Sequence, residues 1–580
     1  MAERILSPGV FSRENDLSFV TPAPGEISTA LIGPTVRGQL GVPTIVRSYG
    51  EYLNTFGSTF KSGSDYYSHF TSLAAEKYFE QGGTSLLVTR VSDQNFTSAT
   101  ATVYSGSTEW FELSTIAQGE IMNNSGSATE NLSENALLSG SADNVRWEIT
   151  NKNASQGTFS LVVRRGDDNH KSKIILESYQ NLSLDPKSTN YIAKVIGDQS
   201  RTVDPSDGAV TVEGDYPNAS KYVYVSNVNF KTPDYLTADG TADPAFSGSF
   251  DNFVIGSGSE HGTFGNATGQ LFDASRVANF YQNINGTDTQ GLDADSTNGR
   301  NYDKAALTLA NRDEYRFNVL LTPGITKDEH SSVVNSFVNM VEDRGDAIYV
   351  ADLVRHGVSV STVTTQANSM NSSFATSYWP WVKIVDNQLG RNVWSPASTV
   401  IGGVYAFTDR VGAEWFAPAG LLRGGIPTVV GAERKLSQSD RDTLYSGKVN
   451  PLATFPGSGV VAYGQKTLQT KASALDRVNV RRLLINLKNF IGDEANNLVF
   501  EQNTIATRNR FLASVNPYLE SVVQRQGLYA YRVVMDDTNN TADVIDRNQL
   551  VGQIFIQPTK TAEFIVLDFV VQPTGASFGA

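Results

Sequence analysis

The chain has 580 residues and carries 46 Lys+Arg against 60 Asp+Glu, a formal net charge of 46 − 60 = −14 at pH 7. Cysteine is absent, which excludes disulfide scaffolds, thiol nucleophiles, thiolate zinc sites and iron–sulfur clusters. The acidic balance excludes a chain built as a whole to coat nucleic acid or an anionic membrane, and no apolar run approaches the ~18–20 residues of a membrane span. The first residues lack the basic and apolar regions of a signal peptide, so cytoplasmic synthesis is expected, with several domains of about 100–200 residues each.

Residues 1–25 contain three prolines and two glycines, a spacing that forbids a helix and predicts an extended arm with apolar patches at Val10, Phe11, Phe19 and Val20. From Glu26 the texture is α/β. A strand is predicted at 27–33. A helix follows at 65–81 on the stripe Tyr66, Phe70, Leu73, Ala74 and Tyr78, ended by Gly82-Gly83, and then a buried strand at 84–91. Between 97 and 300, short alternating strands such as 158–164 and 173–177 sit among Ser/Asn/Thr/Gly loops. They predict a β-rich outer insertion of sandwich or barrel type, in one module or two.

The α/β pattern resumes with a strand at 316–324. Thr326-Lys-Asp-Glu329 reads as a capping box for a helix with the stripe Val333, Val334, Phe337, Met340 and Val341, and 347–351 is the next strand. Strand, helix and strand at this spacing predict a parallel sheet, and the stretches 26–96 and 301–430 predict one discontinuous domain. An extended segment follows at 377–385. Ser395-Pro396 then reads as an N-cap with proline at the first helical position.

Residues 431–560 predict an inner C-terminal α+β domain. Its helices lie at 476–491 (Val480, Leu483, Leu484, Leu487, Ile491) and 504–525 (Phe511, Leu512, Val515, Leu519, Val522), and strands follow at 528–535 and 549–557. Residues 561–580 form a last arm whose strand, 563–571, is apolar on both faces through Phe564, Ile565, Val566, Leu567, Phe569, Val570 and Val571. Such a strand must lie inside a sheet, its own or a neighbour's. The fold class expected is therefore mixed, α/β and α+β, with several domains and extended terminal arms.

Catalytic patterns are thin. There is no HExxH helix, GxSxG elbow, GxxxxGK[ST] loop or GxGxxG fingerprint. Asp352 and His356 follow a parallel strand, where α/β enzymes place catalytic groups, and they are the whole case for a hydrolase. Residues 293–304 begin like a calcium loop, but Asn298 and Lys304 stand where the turn glycine and the bidentate acid belong. No catalytic, metal or cofactor residue is assigned, and the expectation is a protein that is not an enzyme. Charge is more telling: 471–532 holds nine basic and five acidic residues. This +4 segment lies within an otherwise −18 chain and suggests an acidic partner surface.

A family resemblance rests on named residues. Leu6-Ser-Pro-Gly-Val10, Leu53-Asn-Thr-Phe-Gly57 and 181–191 are similar to blocks of the contractile tail sheath proteins of myovirus-type bacteriophages. Ser395-Pro-Ala-Ser, Gly402-Gly-Val-Tyr-Ala406, Asp409, Ala417-Pro-Ala-Gly420, Arg477-Val-Asn-Val-Arg-Arg-Leu483 and Phe500-Glu-Gln-Asn503 continue the resemblance in order. The stretch 205–300 carries none of it.

The resemblance implies subunits stacked as rings around a rigid tube, with the C-terminal domain innermost and both terminal arms adding strands to neighbouring copies. It implies that Arg477, Arg481, Arg482, Lys488, Arg508 and Arg510 face a tail tube protein with an acidic outer surface. Baseplate and tail terminator proteins would be further partners, without direct nucleic-acid contact or membrane insertion. The location implied is the virion, after assembly in the host cytoplasm. A sheath of a phage-derived contractile injection particle is a lesser alternative. A β-rich adhesin or receptor-binding tail protein is the alternative from another class; its Asn/Ser/Thr-rich loops suit ligand binding, but it leaves the C-terminal block unexplained.

Overall fold

The computed structural model describes residues 28–105, 108–124, 136–153, 157–229, 261–271 and 280–565. The arm at 1–25 and the strand residues Val566, Leu567, Phe569, Val570 and Val571 lie outside the described residues.

Apolar runs far apart in the chain align in one six-stranded sheet, in the order Ala375–Thr376, Ile348–Asp352, Phe317–Thr326, Ser28–Gly33, Leu86–Arg90, Thr44–Val46. All neighbours are parallel except the last pair. Leu86–Arg90 and Ile348–Asp352 are buried along their whole length, as a parallel sheet covered on both faces requires. The period-2 alternation sorts the side chains. Leu31, Val88, Val319, Leu321 and Val350 join the core under the helices Phe70–Glu80 and Ser398–Val411. Ala30, Ile32, Leu87, Leu320 and Tyr349 face the opposite core with the Ser331–Arg344 helix.

Three local expectations are corrected here. The segment 65–81 is not one helix: Asp65–Ser68 pairs antiparallel with Thr59–Ser62, and the helix begins at Phe70. The capping box does not form, because Thr326 is claimed by the sheet, paired with Asp352, and the helix starts five residues later at Ser331. Ser395 is not an N-cap. It ends the strand Arg391–Ser395, and the helix Ser398–Val411 is capped from elsewhere. Its first turn donates to buried Asp352 of the central sheet, Ser398 N at 3.2 Å and Ser398 Oγ at 2.5 Å. A carboxylate at a helix N-terminus satisfies orphan donors and complements the dipole.

Ser398–Val411 lies close on the central sheet because of Gly402 and close on Phe70–Glu80 because of Gly403. A Cβ on Gly402 would sit 2.6 Å from Leu321 Cδ1, and one on Gly403 would sit 3.0 Å from the Lys77 carbonyl oxygen.

After Leu86–Arg90 the chain leaves the sheet for two antiparallel sheets. One has the order Val223–Val228, Thr108–Gln118, Ser98–Ser105; the other runs Ile175–Ser183, Thr158–Arg165, Val145–Asn153, His261–Thr263. Their inner faces share a single core, with Phe111 stacked on Phe159 at 5.7 Å. The insertion is pinched at its base: Thr97 N donates to Thr268 O at 3.1 Å, Thr268 N to Thr97 Oγ1 at 2.8 Å, and the two hydroxyls meet at 3.0 Å. Residues 280–300, expected within the insertion, instead line the central layer, where Phe280 and Ile284 are buried against Phe60 and Phe70.

Candidate assembly surfaces

The C-terminal part is built on two helices, Val478–Asn496 and Ile505–Gln524, whose apolar stripes meet at Leu483, Leu487, Phe511, Val515, Leu519 and Val522. Trp415 closes this core from the preceding segment, its indole Nε1 donating to Arg525 O at 3.0 Å. The strands Leu528–Val534 and Gln553–Pro558 form an antiparallel pair on top, and among the described residues no third strand joins either edge. Two strands alone are marginal in water, and each outer edge offers a row of backbone donors and acceptors. Tyr529 and Phe555 on this hairpin are exposed, and Phe564 and Ile565 beyond it are 79% and 78% exposed.

The six basic candidates divide. Arg482 is fully buried and forks onto Asp409 at 2.8 and 2.6 Å, a bidentate pair that outweighs its burial and holds the guanidinium above its ordinary range. Arg481 is buried over the Phe374 ring at 3.9 Å and donates to Ser373 O; burial lowers its pKa to about 10. Arg508 is buried and donates to Asp537 at 2.6 Å and Asn503 at 3.0 Å. These three neutralise carboxylates or cap carbonyls within the subunit, so their expected place on a tube-facing surface is corrected.

Arg477 is half-buried between Asp476 and Glu563. Lys488 and Arg510 are exposed, Arg510 with Glu501 at 3.4 Å. The +4 of the segment therefore does not form a basic face, because Asp409, Asp537 and Glu563, its partners, all lie outside the window.

Sequence reasoning missed Glu563, whose carboxylate accepts from Tyr445, Arg477 and Gln465. The only hint was a lone acid opening an apolar run. Asp352 and His356 are not a working pair. Asp352 is spent on Ser398, and burial pushes its carboxyl up to about 7 against those two donors. His356 instead faces the rings of Tyr281, Trp381 and Trp394, with Glu433 at 3.9 Å.

Residues 298–468 match the family model of the phage tail sheath protein central domain, and residues 470–572 that of the phage tail sheath C-terminal domain. The tail sheath protein of Vibrio phage KVP40 is 43% identical over 193 residues, 33% of this chain and 29% of that protein. The tail sheath protein of Enterobacteria phage T4 is 38% identical over 229 residues, 40% of this chain and 35% of that one. The matches thus span about a third of the length of these relatives. A crystal structure of a sheath tail protein from Listeria innocua aligns at 12% identity with a TM-score of 0.51, over 89% of this chain and 90% of that one, a likeness of fold alone. Residues 298–572 thus carry the sheath central-domain and C-terminal-domain matches in consecutive order, and the stretches aligned with the tail sheath proteins of the two phages are 38–43% identical to them.

Proposed function

We propose that this chain is the structural subunit of a contractile tail sheath, which polymerises around a tail tube and shortens to drive the tube through a host envelope for genome delivery. The observation that carries the reading is the consecutive match to a sheath central domain and a sheath C-terminal domain. The open hairpin supports it. Its edges, unpaired among the described residues, are the acceptors that strand addition needs, and Phe564 and Ile565, which open the apolar run of the sequence, are exposed.

In this reading residues 1–25, through Val10, Phe11, Phe19 and Val20, and residues 561–580 are arms that pair with neighbouring copies. Residues 26–96 with 280–468 form the sheath domain, 97–271 the outer insertion and 470–560 the inner domain. Lys488 and Arg510 are the residues left to meet an acidic tube. Exposed pairs of this kind are worth about 0.2–1 kcal/mol each, so they can release on contraction while backbone ladders persist. Contraction is then rigid-body rearrangement between two lattices, with its free energy stored at assembly. Baseplate and terminator proteins would bound the filament in the virion, after assembly in the host cytoplasm.

Electron microscopy of the purified protein tests the reading: hollow striated tubes are expected. Removing residues 1–20 or 566–580 should abolish them while leaving the melting transition of the subunit intact. Discrete particles under all conditions would refute the function, and tubes surviving both deletions would refute strand exchange.

A further inference from the structure

Residues 559–563, just after the last described strand, do not drift off the subunit. The Thr559 amide donates to the Gly527 carbonyl at 3.1 Å, and the chain then crosses from the C-terminal domain onto the central one. Glu563 stands at the crossing. Its carboxylate accepts from the Tyr445 hydroxyl at 2.7 Å, from Arg477 Nε at 2.7 Å and from the Gln465 amide at 3.0 Å, and the same amide donates to Thr561 Oγ1 at 2.6 Å. Tyr445 and Gln465 belong to the central-domain match and Arg477 to the C-terminal one. The clamp therefore ties the 561–563 segment to three other stretches of chain.

Its chemistry is polar throughout. Phe564 and Ile565, the adjoining apolar residues, are exposed and contribute no burial. Lys466 Nζ lies 4.3 Å and the Arg477 guanidinium 5.9 Å from the centroid of the Tyr445 ring, so two cations flank one aromatic. Asp476 and Glu563 supply the balancing charge. Burial alone would raise the Glu563 carboxyl, but the bonds from Tyr445, Arg477 and Gln465 outweigh it and hold the group below the usual carboxylate range. Such charge-assisted, multiply bonded carboxylates are among the stronger polar contacts a protein makes.

We propose that Glu563 is a positioning residue that anchors the C-terminal segment to its own subunit's central domain, so that the residues beyond it leave toward a second copy of this chain from a fixed point. The anchor stays closed in the assembly, and tension on the segment is shared by both domains instead of peeling the hairpin. This rests on the strand-exchange reading above.

The absence of native cysteine makes the test clean. A single Thr561→Cys thiol, at the half-buried position beside Gln465, should react slowly with a maleimide while Tyr445, Arg477 and Gln465 hold Glu563. Adding Glu563→Ala should speed that labelling about tenfold. Glu563→Gln, which keeps the size and one acceptor, should fall between them with an unchanged melting temperature. The exchange Glu563→Arg with Arg477→Glu should recover part of the protection lost by Glu563→Arg alone, a rescue that a merely structural role would not give. Equal labelling rates with and without Glu563 would overturn the proposal. So would a thiol that is protected in the free subunit and becomes fast-reacting in assembled tubes. If no tubes form, the sheath reading fails, and the labelling rates still decide the anchor.

Discussion

Asp352 is a carboxylate whose role no local pattern discloses. It closes a parallel strand, lies at 4% exposure and caps a helix that begins at Ser398, 46 residues later in the chain. Its pKa is raised to about 7, above the ~3.9 of an unfolded aspartate. Between those values the folded state holds the proton and the unfolded state does not, so this group's stability is full below about pH 4 and is lost as pH rises through 7. Asp352→Asn keeps an acceptor for Ser398 and removes the titration. In urea unfolding at pH 4.5 and 7.5, the wild type should lose on the order of 2–4 kcal/mol more than the variant across that interval; parallel losses would show that Asp352 does not titrate there. The arginines teach the same lesson. A count along 471–532 gives a basic segment, but Arg482 and Arg508 find their acids at Asp409 and Asp537, both outside that window.

At the scale of elements, what the sequence disclosed was the continuous apolar runs and the long amphipathic stripes. Leu86–Arg90, Phe317–Thr326, Ile348–Asp352 and both C-terminal helices fall where the periodicity puts them. The errors cluster at ends, where two local rules compete with one tertiary fact. Thr326 has the spacing of a cap yet extends a strand, because a partner strand at Asp352 uses its backbone. The Gly402-Gly403 pair was legible as a resemblance and not as a reason. Its reason is the approach of Ser398–Val411 to the carbonyl of Lys77. In an exposed helix, Gly→Ala stabilises by about 1 kcal/mol. At Gly403 the backbone contact cannot yield, so overpacking of about 1–3 kcal/mol should win, and Gly403→Ala should lower the urea midpoint. A raised midpoint would mean that the two helices are free to separate.

For the molecule as a whole, the pinch between Thr97 and Thr268 separates two cores that share little. Residues 98–267 should therefore be removable, with a short Gly/Ser linker joining Thr97 to Thr268, without unfolding the six-stranded sheet. The chief local loss is to Arg90 and Arg37. Arg90 would keep the Gly38 and Val36 carbonyls but lose that of Gln118, and Arg37 would lose Ala142 and Asp143. Two weakened buried cations cost about 2–5 kcal/mol, so the excised protein should melt lower but in one cooperative transition; loss of that transition would make the insertion part of the folding unit. The stripes of the central layer at 280–300 were missed because they lie among glycine and asparagine, and Phe280 shows its partners, Phe60 and Phe70, only in three dimensions.

A base held shut by two threonines also works as a socket. Any compact domain whose termini lie as close together as Thr97 and Thr268 could be plugged in there, and every subunit of a polymer would then display one cargo at the lattice repeat. The register of the parallel strands beneath would remain that of the natural chain.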